Sequence, residues 1–155
     1  MEYYKFIRKN QEGADCQLVT ALNASIYVHK KRIVAPKSKK YKELIKLTGC
    51  IAGPCISIEK SWEVLKIKVN KEYKYFSDIN FDDLPLEMKT WDSHYGSHSV
   101  LIIDYVHWCD AMHILNFDVH TTRIGWIFEE NLELYVPRDY HRSDDTWLAR
   151  SFVKV

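Results

Sequence analysis

Three residue types that can work together stand at marked positions in this chain: Cys16, His98 and Asn116. Cys16 ends the polar turn Asn10–Asp15 and starts a run in which Leu18, Ala21, Leu22, Ser25 and Ile26 recur at helical spacing. Asp15 occupies the N-cap position, which sets Cys16 in the first helical turn among free backbone N–H groups at the positive end of the dipole. That setting stabilises a thiolate and lowers its pKa. A small residue packed at a helix start satisfies the same local pattern, so the partners of Cys16 decide the matter. His98 follows Tyr95-Gly96-Ser97 and opens the apolar stretch Ser99–Val106. A histidine at the mouth of a strand can face a cleft while the strand fixes its backbone. Asn116 lies on the following stretch, Ile114–Asp118, and Asp118 is two residues on, hence on the same strand face. Either side chain can accept from the second imidazole nitrogen and set its orientation. A cysteine at a helix start, a histidine at a strand start and an orienting neighbour are the parts of thiolate catalysis.

The elements that must hold these residues follow from periodicity and punctuation. Gln17–Tyr27 reads as a helix, and Tyr3–Ile7 before it as a short strand. Tyr41, Leu44, Ile45 and Leu47 make a second helix with Gly49 as its C-cap. Ser57 reads as the N-cap of a third helix, Ile58–Leu65. Ile67 and Val69 alternate with lysines as in an edge strand. Tyr73–Trp91 is irregular, a short strand near Tyr73–Phe76 followed by a loop through Pro85. Val100–Ile103 is a continuous apolar run suited to a buried central strand. His107–Asp110 then turns the chain into a partner strand, Met112–Phe117. Arg123–Phe128 is a further strand and Leu132–Val136 another short element. Trp147–Val155 either closes the sheet or forms an exposed tail. Helices first and strands second argue for an α+β fold, one domain over 1–155 with a helical part at about 10–66 and a sheet part at about 67–155.

Composition narrows the function classes. With 155 residues, 46% hydrophobic and 28% charged, the chain has ordinary globular composition. A net charge of +1 gives no general argument for a nucleic-acid or membrane partner. No apolar run approaches the length of a membrane span, and Met1–Lys9 does not read as a signal peptide. Four cysteines without a signal point to free thiols in a reducing, cytoplasmic setting. Cys50 and Cys55 read as core thiols flanking a turn, since their spacing is looser than a zinc knuckle and no second tight pair completes a tetrahedral set. His107, His113 and His120 read as solvent-facing. No metal and no organic cofactor is called for.

Gly13-Ala14-Asp15-Cys16 with Leu22-Asn23-Ala24 resembles the nucleophile helix of papain-like cysteine peptidases. Ser97-His98-Ser99-Val100, running to Ile103-Asp104-Tyr105, resembles that superfamily's histidine strand, and Ile114-Leu115-Asn116-Phe117 the strand carrying its Asn or Asp. Length and the Cys-to-His interval are most similar to the compact, bacteriocin-processing C39-like branch. The resemblance covers roughly 8–135. It implies a papain-like domain, peptide or amide hydrolysis (or acyl transfer through the same thioester), a peptide or protein substrate, and Asn116 as the orienting residue. It also implies an oxyanion-stabilising amide six residues before the cysteine. Asn10 stands there, and Gln11 one residue later; Gln11 is the expected donor, with Asn10 as the alternative. Gln17 replaces the Gly or Trp common after the nucleophile. That departure and the shifted glutamine leave room for a catalytically silent relative that serves as a binding or structural module.

Overall fold

The computed structural model describes residues 6–7, 15–50, 55–92, 96–117, 125–137 and 147–155. Helix α1, Cys16–His29, is buried at every position from Leu18 to Ile26, a helix with no solvent face over two turns and so the centre of the packing. Its polar residues are satisfied inside the core, as buried polar groups must be. The Asn23 amide exchanges two 2.8 Å hydrogen bonds with the main chain of Ile7, and the Ser25 hydroxyl donates to the Leu65 carbonyl. Lys30 ends the helix in the left-handed conformation, its N–H returning to the Ile26 carbonyl.

Helices α2, Lys39–Thr48, and α3, Glu59–Leu65, pack beside α1. Ser38 caps α2 by accepting from the Tyr41 N–H, and Gly49 closes it at φ 73°, a conformation that suits glycine. The N-cap of α3 is Ile58 with no side-chain cap, one residue later than the expected Ser57.

Six strands follow: β1 Ile67–Tyr73, β2 Leu86–Asp92, β3 Gly96–Val106, β4 Ala111–Leu115, β5 Trp126–Phe128 and β6 Ala149–Lys154. They form one sheet in the order β1-β6-β2-β3-β4-β5, with every neighbouring pair antiparallel. The fold of the described residues is thus α+β, with a short α4, Glu129–Glu133, where an undefined element was expected at Leu132–Val136. The sheet has two buried faces. Ile67, Leu101, Ile103, Leu115 and Phe152 lie under α1–α3. Leu86, Met88, Val100, Ile102, Met112 and Ile114 face the other way, against Phe81, Phe117, Leu132 and Leu148.

Three local expectations are sharpened or changed. The stretch Tyr73–Trp91, read as irregular with a loop through Pro85, ends in the internal strand β2, which begins at Leu86. The segment after Trp147 takes one of its two expected courses and closes the sheet as β6, between β1 and β2. His113 is buried, its ring tilted against Trp126 with ring centroids 4.9 Å apart, where exposure was expected. Phe6 and Ile7, at the end of the expected first strand, are buried and lie outside the six strands, and the rest of that segment lies outside the described residues. Among the described residues no helix is long and apolar enough to cross a membrane.

Candidate functional site

Cys16 is the first residue of α1, and the thiol meets strand β3 at Ser99, whose backbone hydrogen-bonds it alongside that of Gln17. The two flanking residues are tethered to the helical side. Asp15, fully buried, accepts from the Tyr41 hydroxyl on α2. Gln17 Oε1 accepts from the Cys55 N–H at 3.0 Å. Asp15 therefore holds the N-cap position without capping: no side-chain cap bond is made there, because the carboxylate is committed to Tyr41. Cys50 and Cys55, expected as free thiols, are joined in a disulfide. Their Cα atoms lie 4.3 Å apart, Cys50 following the left-handed Gly49. Cys16 and Cys109 are the free cysteines.

The expected low thiol pKa does not hold. Burial pushes the Cys16 thiol up, and the carboxylates of Glu87 and Asp15 push the same way; the backbone hydrogen bonds of Ser99 and Gln17 oppose them without cancelling the rise. The physical reason is competition between the helix N-terminus, which favours the anion, and desolvation next to two carboxylates, which disfavours it.

His98 precedes Ser99 on β3, so the strand brings cysteine and histidine to the same point of the sheet. The pleat sets them on alternate sides. Ser99 shares the α1 face with Leu101 and Ile103, whereas His98 pairs with Thr90 and shares the face of Val100 and Ile102. Among the described residues no hydrogen bond joins the Cys16 thiol to the imidazole. His98 Nε2 is instead bonded to Asn116, through the main-chain carbonyl and not the side-chain amide that was expected. Asn116 is 6% exposed and stands just past β4 at φ 62°. Gln11, Asn10 and Asp118 lie outside the described residues.

A polar network that the motifs did not reveal lies against Cys16 on the α1 face. The Ser99 hydroxyl donates to Glu87 Oε2 at 2.7 Å and lies 3.0 Å from the Thr20 hydroxyl on α1. Glu87 Oε1 accepts from Arg150 Nε at 2.6 Å, with both side chains almost wholly buried. The Arg150 guanidinium lies 3.8 Å from the Trp147 ring centroid and 4.6 Å from that of Trp62. Lys89, the ladder partner of Ser99, sets its ammonium 4.1 Å from the Trp147 ring centroid. Burial, and then the charge of Arg150, lower the Lys89 pKa. The signal for this network was present in the alternation Leu86-Glu87-Met88, a carboxylate inserted in an apolar strand pattern.

The arrangement can present a thiol at a helix start, steady it with a strand N–H, and hold an imidazole one residue away on a fixed acceptor. No protein-family model matches the chain, and no curated protein matches it either.

Proposed function

We propose that this chain is a papain-like thiol enzyme that cleaves peptide or amide bonds, with Cys16, His98 and Asn116 as its working residues. The observation that carries the reading is the convergence on one end of β3: Ser99 meets the thiol, and the preceding residue, His98, is anchored through Nε2. With Nε2 committed, Nδ1 is the nitrogen this reading assigns to the thiol, from across the β3 strand. In the reaction the Cys16 sulfur bonds to the substrate carbonyl carbon as its proton passes to His98. The tetrahedral adduct collapses by breaking the C–N bond, and the imidazolium returns the proton to the leaving amine. Water then hydrolyses the thioester by the same route. The N–H of Cys16, with Gln11 or Asn10, would meet the developing oxyanion. Because the free thiol is raised, proton transfer accompanies attack and no standing thiolate–imidazolium pair is required. The substrate is a peptide or protein, and the chemistry needs no metal or cofactor. A cytoplasmic setting belongs to this reading, although the Cys50–Cys55 bond weighs against a reducing compartment.

The second reading is a catalytically silent relative used as a binding or structural module, and the raised Cys16 thiol favours it. A fluorogenic peptide library separates the two. The enzyme reading expects turnover that is lost together in Cys16→Ala and His98→Ala, equally in each because the pair acts as a unit, with unfolding temperatures close to that of the parent. Turnover that survives in Cys16→Ala overturns the thiol reading, and no turnover across the library assigns the silent role.

A further inference from the structure

We infer that Asn116 positions His98 by its backbone: a left-handed residue at the end of β4 presents its main-chain carbonyl to His98 Nε2. Three observations meet here. The His98 Nε2 contact is to the carbonyl oxygen of Asn116. Asn116 has φ 62°, in the region that L residues other than Asn, Asp and Gly seldom adopt. The residue is buried, as are Leu115 before it and Phe117 after it, so the turn is held from both sides.

A strand residue in extended conformation directs its carbonyl into the ladder. The left-handed step at Asn116 rotates the following peptide unit out of that plane, which frees this carbonyl for a side chain on β3. β4 last pairs with β3 at Leu115, opposite Leu101, so Asn116 is where the ladder lets go. On this account asparagine suits the position by its backbone tolerance.

The chemical consequence is a fixed tautomer. A carbonyl can only accept, so neutral His98 must carry its proton on Nε2 and leave Nδ1 as the bare, basic nitrogen. In the thiol-enzyme reading, on which the catalytic part of this inference rests, Nδ1 is the nitrogen that takes the Cys16 proton. A histidine held in the wrong tautomer can cost on the order of 10⁴ in kcat. The main-chain anchor also predicts an unusual tolerance: glycine adopts the same backbone without strain, so it should replace Asn116 even though it has no amide.

Nitrogen-15 NMR of uniformly labelled protein at a pH where His98 is neutral reads the tautomer directly, whether or not the protein is an enzyme. The protein and Asn116→Gly should both show His98 protonated at Nε2. If turnover is found, Asn116→Val, which resists the left-handed backbone, should lose ~10²–10⁴-fold in kcat. An Asn116→Gly spectrum with mixed tautomers would assign the orienting role to the amide and overturn the inference. Should that variant fail to fold, the parent still decides. A scalar coupling across the hydrogen bond from His98 Nε2 to the Asn116 carbonyl carbon supports the inference; a coupling to the side-chain amide carbon, or none, overturns it. A fixed tautomer without any turnover would leave the positioning contact standing and remove only the enzyme reading.

Discussion

Removing Arg150 should cost more than any surface charge in this protein, because it strands a carboxylate that has almost no access to water. Glu87 and Arg150 are 2% and 6% exposed and joined at 2.6 Å. Breaking a buried pair by deleting one partner costs about 3–5 kcal/mol, whereas an exposed pair is worth about 0–1 kcal/mol. Arg150→Met keeps an aliphatic side chain but removes the guanidinium that lies over Trp62 and Trp147, so the double variant is needed to separate the stranded charge from the lost ring contact. At about 2–4 °C per kcal/mol for a domain of this size, the unfolding temperature should fall by about 6–20 °C. Calorimetry of the parent, Arg150→Met, Glu87→Gln and the double variant supplies the cycle. Glu87→Gln/Arg150→Met should be more stable than Arg150→Met alone, since the neutral amide no longer leaves a charge in the core. A loss below about 1 kcal/mol for Arg150→Met would show that the pair is solvated and would refute the reasoning. A double variant no better than Arg150→Met would show that packing on the two indoles, and not charge, is what the arginine supplies.

The pH profile of Cys16 alkylation by iodoacetamide, followed by peptide mass spectrometry, should inflect above that of a free cysteine in the same buffer, because burial raises its thiol; an inflection below it would restore the thiolate pair. Tyr73, pushed up to about 12 by burial and by its bond to Asp83, keeps a proton that the unfolded chain releases above about pH 10. Stability should therefore fall as pH rises from about 10, and Tyr73→Phe should flatten that fall in alkaline urea titrations. Gly125→Ala should cost about 1–3 kcal/mol, since the residue sits at φ 78° and its new Cβ would lie 2.8 Å from the buried His113 ring; thermal unfolding at the parent's temperature would contradict this.

Much of the frame could be read from residue order. Apolar spacing from Leu18 to Ile26 located α1, and the run Val100–Ile103 with the turn at His107–Asp110 located the β3–β4 hairpin. The alternation Leu86-Glu87-Met88-Lys89 suits a strand, but it reads as half-exposed; the burial of Glu87 depends on Arg150, 63 residues away. The thiol pKa was misjudged for a related reason. The helix start next to Cys16 is local and visible, while the burial and the Glu87 carboxylate that outweigh it come from distant strands. The same holds for Asn116: its position was readable, but the backbone twist that turns its carbonyl toward His98 is a property of where the β4 ladder ends.

The placement of β6 bears on how the chain reaches this fold. β6 is synthesised after every other described element, yet it sits between β1 and β2 and pairs with both. Until it arrives, β1 has no partner and β2 offers one unpaired edge, so a nascent chain can assemble α1–α3 and the β2–β3–β4 meander but cannot join β1 to them through the sheet. Closing the loop from Ile67 to Lys154 is a long-range step, of the kind that slows folding. The waiting edges of β1 and β2 are where an intermediate would pair with another chain. Misfolding of this protein should therefore be most sensitive to changes in β6, even at positions far from Cys16.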